Sequence, residues 1–173
     1  MSNKFVQTIL EPEVSAKEAI VNQDYRNENI SNIVLQEFKF SGVNFFDCIF
    51  RNVDFTGSLF MNCQFNKCNF YDVRFRKTEY WNCSFRNTEI ITSDLSRTEF
   101  NSSFFEKAEF FKTSLRAADF ANCKFKEANF LFLENELDAI LFFDSKICKF
   151  NKWIDIENLQ HFEDILKENT KGP

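Results

Sequence analysis

The sequence predicts an all-β solenoid, a four-sided coil of short strands with a short helix at each end. Three observations predict it. From residue 30 to residue 130 every fifth residue is large and apolar: Ile30, Leu35, Phe40, Phe45, Phe50, Phe55, Phe60, Phe65, Phe70, Phe75, Tyr80, Phe85, Ile90, Leu95, Phe100, Phe105, Phe110, Leu115, Phe120, Phe125 and Phe130. The residue two places before each of these is small in all eighteen cases from Val43 to Ala128. Only three Gly and two Pro occur in 173 residues, so the repeat itself must set the corners.

The five-residue period excludes a core built from one helix face or one strand face. A helix repeats every 3.6 residues and a strand every two, so neither can bury this pattern. A coil with one repeat on each of four sides can bury it, because the large residue then points to the axis and the small one fits beside it. Successive coils of twenty residues stack at about 4.8 Å, and the twenty-one units make a tower of just over five coils, roughly 25 Å long.

The repeat resembles the motif of the pentapeptide-repeat family, which centres on Leu or Phe with a small residue two places before it. The segments Cys63-Gln64-Phe65-Asn66-Lys67 and Ala118-Asp119-Phe120-Ala121-Asn122 match that motif as they stand. The resemblance covers about three fifths of the chain. It implies a right-handed quadrilateral β-helix, and the handedness comes from the family alone.

Residues 1–26 are expected to form an N-terminal arm with a capping helix, and residues 27–132 the repeat itself. Ser15-Ala16-Lys17-Glu18 reads as a capping box, and Pro12 is tolerated near a helix start. The expected helix therefore spans about residues 15–22. It would cover the open end of the first coil, which is otherwise an edge prone to aggregation.

Residues 133–153 are expected to form an irregular terminal coil. Asn135, Asp138 and Ser145 break the pattern, and Cys148 with Phe150 restores it. The apolar residues of this segment are expected to pack under a loop: Leu133, Leu137, Ile140, Leu141, Phe142 and Phe143.

Residues 154–173 are expected to form an amphipathic helix, over about 156–168 with Asp155 as its N-cap, and a tail. Its apolar stripe consists of Ile156, Leu159, Phe162, Ile165 and Leu166. The stripe can either cap the last coil or pair with its twin in a head-to-head homodimer. The chain also resembles the bacterial quinolone-resistance and toxin-immunity group of the family, whose members end in a dimerising helix, and this resemblance favours the homodimer.

The six cysteines, Cys48, Cys63, Cys68, Cys83, Cys123 and Cys148, all fall on the small position of the five-residue register, which is typical of core packing. Their spacing contains no C-x₂-C, so a zinc site is not expected. Cys48 with Cys68 and Cys63 with Cys83 should stack about 5 Å apart, which a disulfide permits. A reducing cytosol favours free thiols instead.

We expect neither an enzyme nor a cofactor. His161, the one histidine, lies on the terminal helix, and no phosphate-binding loop, nucleophile elbow or zinc-protease motif occurs. A tower filled with Phe has no cleft. Without a signal peptide or an apolar run of about eighteen residues, we expect a cytoplasmic protein. A net charge of −5 does not indicate direct nucleic-acid binding.

The outer surface is therefore the expected functional part. One side of the coil carries a column of outward apolar residues, Tyr71, Ile91, Phe111 and Leu131, flanked by acidic residues. Another side carries Trp81 and an acidic ladder of Glu79, Glu99 and Asp119. The apolar column can merely stiffen the coils, or it can bind a partner, since exposed apolar patches mark interaction sites.

These features predict a non-enzymatic protein–protein interaction module of unknown partner. The resemblance to the quinolone-resistance group implies an alternative, binding of DNA gyrase or topoisomerase IV by DNA mimicry. Mimicry requires a dense array of negative groups. Residues 30–150 contain fifteen basic and sixteen acidic residues, so the tower is nearly neutral.

Overall fold

The computed structural model describes residues 3–11, 19–131 and 137–167. Within those residues the chain forms two helices, α1 (Lys4–Leu10) and α2 (Leu159–Lys167), and twenty-one short strands. The strands are β1 (Ala19–Val21), β2 (Asp24–Arg26), β3 (Asn29–Val34), β4 (Lys39–Ser41), β5 (Asn44–Phe46), β6 (Ile49–Asp54), β7 (Leu59–Met61), β8 (Gln64–Asn66), β9 (Asn69–Tyr71), β10 (Glu79–Trp81), β11 (Ser84–Arg86), β12 (Glu89–Ile91), β13 (Glu99–Asn101), β14 (Phe104–Glu106), β15 (Glu109–Phe111), β16 (Asp119–Ala121), β17 (Lys124–Lys126), β18 (Asn129–Leu131), β19 (Leu141–Phe143), β20 (Lys146–Lys149) and β21 (Lys152–Asp155).

The strands stack as four sides of one coil. The first face is the sheet β1-β4-β7-β10-β13-β16-β19, the second runs from β2 to β20 with β21 added antiparallel, and the third runs from β3 to β18. The fourth face is a column of single parallel bridges that joins Asp54, Arg74, Asp94 and Ser114. Along the regular tower each strand pairs with the strand twenty residues away, as Phe85 does with Phe65 and Phe105. The predicted quadrilateral β-helix is confirmed.

The core is a set of stacked columns of large apolar residues, one for each side, and most of these residues are aromatic. On the second face the Phe65, Phe85 and Phe105 rings stack with centroids 5.1 and 4.9 Å apart and planes within 13° of parallel. Rings of neighbouring faces meet edge to face, as Phe60 and Phe65 do at 5.4 Å and 71°. Both are favourable aromatic geometries, and the rings leave no solvent at the axis because each is at most 2% exposed.

The small positions lie at the corners, inside the backbone. Their hydroxyl and thiol groups donate to carbonyl oxygens of the previous coil: Thr88 Oγ1 lies 2.6 Å from the oxygen of Phe65, and Cys83 Sγ lies 3.4 Å from that of Phe60. Five of the six cysteines are buried, and all six are free thiols. Burial raises the pKa of Cys123 to about 12 and that of Cys83 further still, so both stay protonated and unreactive at neutral pH.

Every corner of the regular tower is built from a left-handed residue. From Asn22 to Glu127 the residue two places after each large residue has φ between +48° and +70°. Asn and Asp are common there because their short polar side chains tolerate this region. The side chains also link successive coils, since Asn82 Nδ2 donates to Asn62 Oδ1 at 2.8 Å. The recurrent Asn two places after the large residue is the sequence signal for this backbone conformation.

The N-terminal cap is a different helix from the expected one. The capping box and Pro12 lie outside the described residues, and Ala19–Val21 is a strand, so the predicted helix over 15–22 is wrong there and the coil starts before residue 27. The N-terminal helix is instead α1. Its Phe5 is fully buried and packs edge-on against Tyr25, with the two ring centres 5.0 Å apart. Asn3 caps it by accepting from the Val6 amide and ties it to the coil by donating to the carbonyl of Asn29.

The terminal coil continues the tower after an insertion of two residues. The sequence pattern did not predict this insertion. Asp119 pairs with Leu141 and Phe125 with Ile147, each twenty-two residues away instead of twenty. Ser145 therefore occupies a small position, whereas Cys148 is partly exposed and Phe150 is 89% exposed. The expected restoration of the pattern at Cys148 and Phe150 is wrong.

The apolar residues that were expected under a loop divide into three groups. Ile140 is buried, and Leu137 and Phe142 pack against the core. Leu141 and Phe143 face outward and are 64% and 66% exposed, so that expectation is wrong for them. Leu133 lies outside the described residues.

Helix α2 closes the C-terminal end of the tower. Phe162 is 1% exposed and its ring lies 5.0 Å from Phe130 and 4.8 Å from Phe142. Ile156 and Ile165 are also buried, and Leu159 and Leu166 pack partly against the same core. The helix begins at Leu159 and not near Asp155, because Asn158 Oδ1 accepts from the His161 amide, whereas Asp155 ends β21 and pairs with Lys146 at 2.8 Å. The apolar stripe is thus used within the protomer, as the capping interpretation expected.

Candidate interaction surface

The apolar column lies on the third face in strict register. Ile91 pairs with Tyr71 on one side and with Phe111 on the other, and Phe111 pairs with Leu131. Their spacing is that of neighbouring strands, about 4.8 Å. Tyr71 and Ile91 are partly exposed, Phe111 is 39% exposed and Leu131 is 60% exposed. The four side chains therefore form one continuous outward stripe, which we call the apolar column.

Charged groups border the apolar column along its length. Glu89 and Glu109 are paired neighbours on β12 and β15. Each lies two residues before a residue of the column, with one buried residue between them. At the upper end the Arg51 guanidinium lies 4.3 Å from the centre of the Tyr71 ring, a cation–π contact that fixes the ring. The exposed fraction of the column's side chains rises toward Leu131.

Trp81 and the acidic ladder lie on the opposite side of the tower. Trp81 belongs to β10 of the first face, is 45% exposed and donates from Nε1 to Glu79 Oε2 at 3.2 Å. Glu79, Glu99 and Asp119 are successive partners in that sheet, as the twenty-residue coil predicted. Since the first and third faces are opposite sides of a four-sided coil, the structure does not bring the predicted partner-binding residues into one surface.

On the second face, an acidic residue lies between two basic ones. Glu106 lies between Arg86 and Lys126, with its carboxylate oxygens 3.6 Å and 3.0 Å from their nitrogens. The hydrogen bond from Lys126 holds the pKa of Glu106 below its ordinary value. Such exposed pairs each contribute little to stability.

Neither a membrane span nor a metal cluster is found in the part of the chain that the structure describes. Its helices are too short to cross a bilayer. No three His, Cys, Asp or Glu side chains of the described residues converge in a way that could hold a metal ion.

Comparison with known families divides the chain into two matched regions. The model of the SV2A/B/C luminal domain matches residues 16–90, and the pentapeptide-repeat model, which describes eight copies of the repeat, matches residues 93–130. The same five-residue register and the same coil run through both regions. By this match over residues 93–130 and by its fold, the chain is similar to the pentapeptide-repeat family.

Solved structures of this family share the fold. HetL, a pentapeptide-repeat protein involved in heterocyst differentiation regulation from the cyanobacterium Nostoc, is similar with a TM-score of 0.60 at 12% identity. The match covers 63% of this chain and 46% of HetL, so the chain spans less than half of that protein's length. At this identity the likeness concerns the fold alone.

Other family members are more distant in shape. A pentapeptide-repeat protein of the Arabidopsis thaliana thylakoid lumen gives a TM-score of 0.43 at 16% identity over 59% of this chain and 68% of its own. QnrB1, a plasmid-mediated fluoroquinolone resistance protein, gives 0.32 at 14% identity over 88% of both chains. No curated protein matches the chain in sequence.

Proposed function

We propose that this pentapeptide-repeat protein is a non-enzymatic, cytoplasmic interaction module that binds a partner protein through the apolar column. The observation that supports it is the unbroken register of Tyr71, Ile91, Phe111 and Leu131 on one face. Such a row is the kind of exposed apolar surface that marks a partner site. Tyr and Phe are also side-chain types that supply binding energy at interfaces.

The spacing of the column suits a partner helix that lies along the tower axis. Neighbouring rungs are about 4.8 Å apart, and residues on one face of a helix recur about every 5.4 Å. From Tyr71 to Leu131 the column rises roughly 14 Å, the length of a helix of about ten residues. Glu89 and Glu109 border the column, and Arg51 and Lys112 lie over its Tyr71 and Phe111 rings, so the matching helix has one apolar stripe flanked by both basic and acidic residues.

The test is a pull-down from native lysate with the wild type and the double variant Tyr71→Ser, Phe111→Ser. The matched control is Trp81→Ser, Leu141→Ser, which removes two exposed apolar side chains from the first face. We expect the wild type and the control to retain a protein that the column variant loses. Thermal unfolding by circular dichroism should show all three folded.

Retention of the same proteins by the column variant would overturn the proposal. In that case the column stiffens the tower, and its loss should appear as a stability change of about 0.2 to 1 kcal/mol for each cross-strand pair removed.

A second candidate is binding of DNA gyrase or topoisomerase IV by DNA mimicry. The observation in its favour is the acidic ladder, in which Glu79, Glu99 and Asp119 stand on consecutive rungs of one face. A gyrase supercoiling assay with and without ciprofloxacin tests it, using the wild type and the triple variant Glu79→Gln, Glu99→Gln, Asp119→Asn. Inhibition or rescue by the wild type alone is the expected result. No effect at micromolar protein removes this candidate.

A further inference from the structure

The fourth face holds a basic hollow that the proposed function does not use. The hollow has a volume of about 260 Å³ and is lined by Arg76, Arg97, Arg116, Ser96, Ser114 and Asp94. It exists because the short Ser96 stands between Arg76 and Arg116 on successive coils, and the short Ser114 follows Asp94 in the column of bridges.

The arginines of the hollow are only partly neutralised. Arg76 Nε lies 3.7 Å from Asp94 Oδ2, whereas Arg97 and Arg116 pair with no carboxylate among the described residues. The backbone brings these two together, since the Arg97 amide donates to the carbonyl of Arg116 at 2.9 Å. Around the hollow the basic side chains outnumber the acidic ones: Arg74, Arg76, Lys77, Arg97 and Arg116 against Asp54, Asp94 and Asp138.

The polar groups on the floor add hydrogen-bonding capacity. The Ser96 amide donates to Asp94 Oδ1 at 2.9 Å, which holds that carboxylate close to its own strand. The Ser96 hydroxyl has no hydrogen-bond partner among the described residues, and the Ser114 hydroxyl accepts weakly from the Arg116 amide at 3.5 Å. Both hydroxyls can therefore donate to a ligand.

We propose that this hollow is a binding site for a phosphate group, either free phosphate or a phosphate monoester. Planar guanidinium groups match the oxygens of phosphate in forked, charge-assisted hydrogen bonds, and two of them are unpaired here. A dianion placed between Arg97 and Arg116 relieves the repulsion between like charges, and the serine hydroxyls donate to its remaining oxygens. Because the site is open to water, its affinity is modest and falls as salt rises.

Isothermal titration of the full chain with inorganic phosphate, at constant ionic strength, tests the proposal. A parallel titration with O-phosphoserine distinguishes free phosphate from a monoester as the preferred source. We expect one site per chain in the wild type. The double variant Arg97→Gln, Arg116→Gln should bind at least about tenfold more weakly, since each lost charged hydrogen bond is strong relative to a neutral one.

The matched control is Arg26→Gln, Arg86→Gln, which removes the same charge from the second face. It should bind phosphate as the wild type does. Circular dichroism without phosphate confirms that all variants are folded. The proposal is overturned if the wild type shows no binding into the millimolar range, or if the control loses affinity as much as the double variant, which would indicate attraction by net charge alone.

Discussion

At the scale of single residues, the corners of the coil are the positions with the strictest backbone requirement. Each needs a left-handed backbone, and most are filled by residues that adopt it at low cost. Thr92 departs from this, because it is β-branched and has φ +48°. Its hydroxyl donates to Asp72 Oδ1 at 2.6 Å, as the Asn82 amide does to Asn62, so it keeps the contact between coils while its backbone is strained.

We therefore expect Thr92→Asn to stabilise the fold by about 1 kcal/mol, since Asn tolerates the left-handed region and can still donate to Asp72. Chemical denaturation of the two proteins measures the change. The reverse replacement, Asn82→Thr, is the matched control and should destabilise by a similar amount. A fall in stability for Thr92→Asn would show that the corner is not strained.

Asp54 is the residue that links the fold most clearly to pH. Burial alone pushes the pKa of Asp54 up, but hydrogen bonds from Thr56 and Gln36 and the charge of Arg74 outweigh it and hold the pKa below its ordinary value. A carboxylate with a lowered folded-state pKa stabilises the protein above its unfolded pKa, about 3.9, and that stabilisation is lost as pH falls through the lower folded value.

Replacing Asp54 with Asn should accordingly lower the melting temperature at pH 7 and have little effect once pH falls well below about 4. Melting curves of both proteins across this range provide the measurement. Asp144→Asn, at an exposed corner, is the control. An Asp54→Asn penalty that stays constant with pH would contradict the assignment.

Residue identities predicted the interior well and the corners poorly. The large and small positions from Val43 to Ala128 are buried as expected, because burial in this fold depends on the period alone. The left-handed corner residues were missed because Asn, although it recurs at that position, shares it with Lys, Asp, Ser and other residue types.

At the scale of elements, the sequence did not predict the structure at the two ends of the tower, for different reasons. Helix α1 is only seven residues long, and the stronger capping signal at Ser15 directed the prediction away from it. The two-residue shift before β19 was hidden because Ile140 to Phe143 are all large and apolar, so either register offers residues for the core. Tertiary contacts decide such cases, and a linear pattern does not contain them.

A single substitution in α2 can test whether this helix caps the tower, because its Phe162 packs on Phe130 and Phe142. We expect Phe162→Ala to lower the free energy of unfolding by about 3 to 5 kcal/mol, as for other buried Phe truncations. The measurement is denaturant unfolding together with the mass in solution, and the exposed Gln160→Ala is the control. If Phe162→Ala instead halves the mass and leaves the protomer as stable as before, the stripe serves a dimer and not a cap.

At the scale of the whole molecule, a filled axis leaves the four outer faces as the parts that can act. The first and third faces are candidates for macromolecular partners and the fourth for phosphate, whereas on the second face Glu106 pairs with Arg86 and Lys126. Sequence periodicity predicted this division into faces, since a coil of twenty residues fixes which side chains share a column. It did not predict the hollow on the fourth face, because that depends on how short and long side chains alternate between coils.

Residues at the five-residue period form the core of the tower, and their neighbours along the chain do not. Denaturant unfolding of Phe85→Ala and of Arg86→Ala tests this, because Phe85 is 2% exposed whereas the adjacent Arg86 side chain is 54% exposed. We expect a loss of about 3 to 5 kcal/mol for Phe85→Ala and of at most about 1 kcal/mol for Arg86→Ala. Equal losses for the two variants would contradict it.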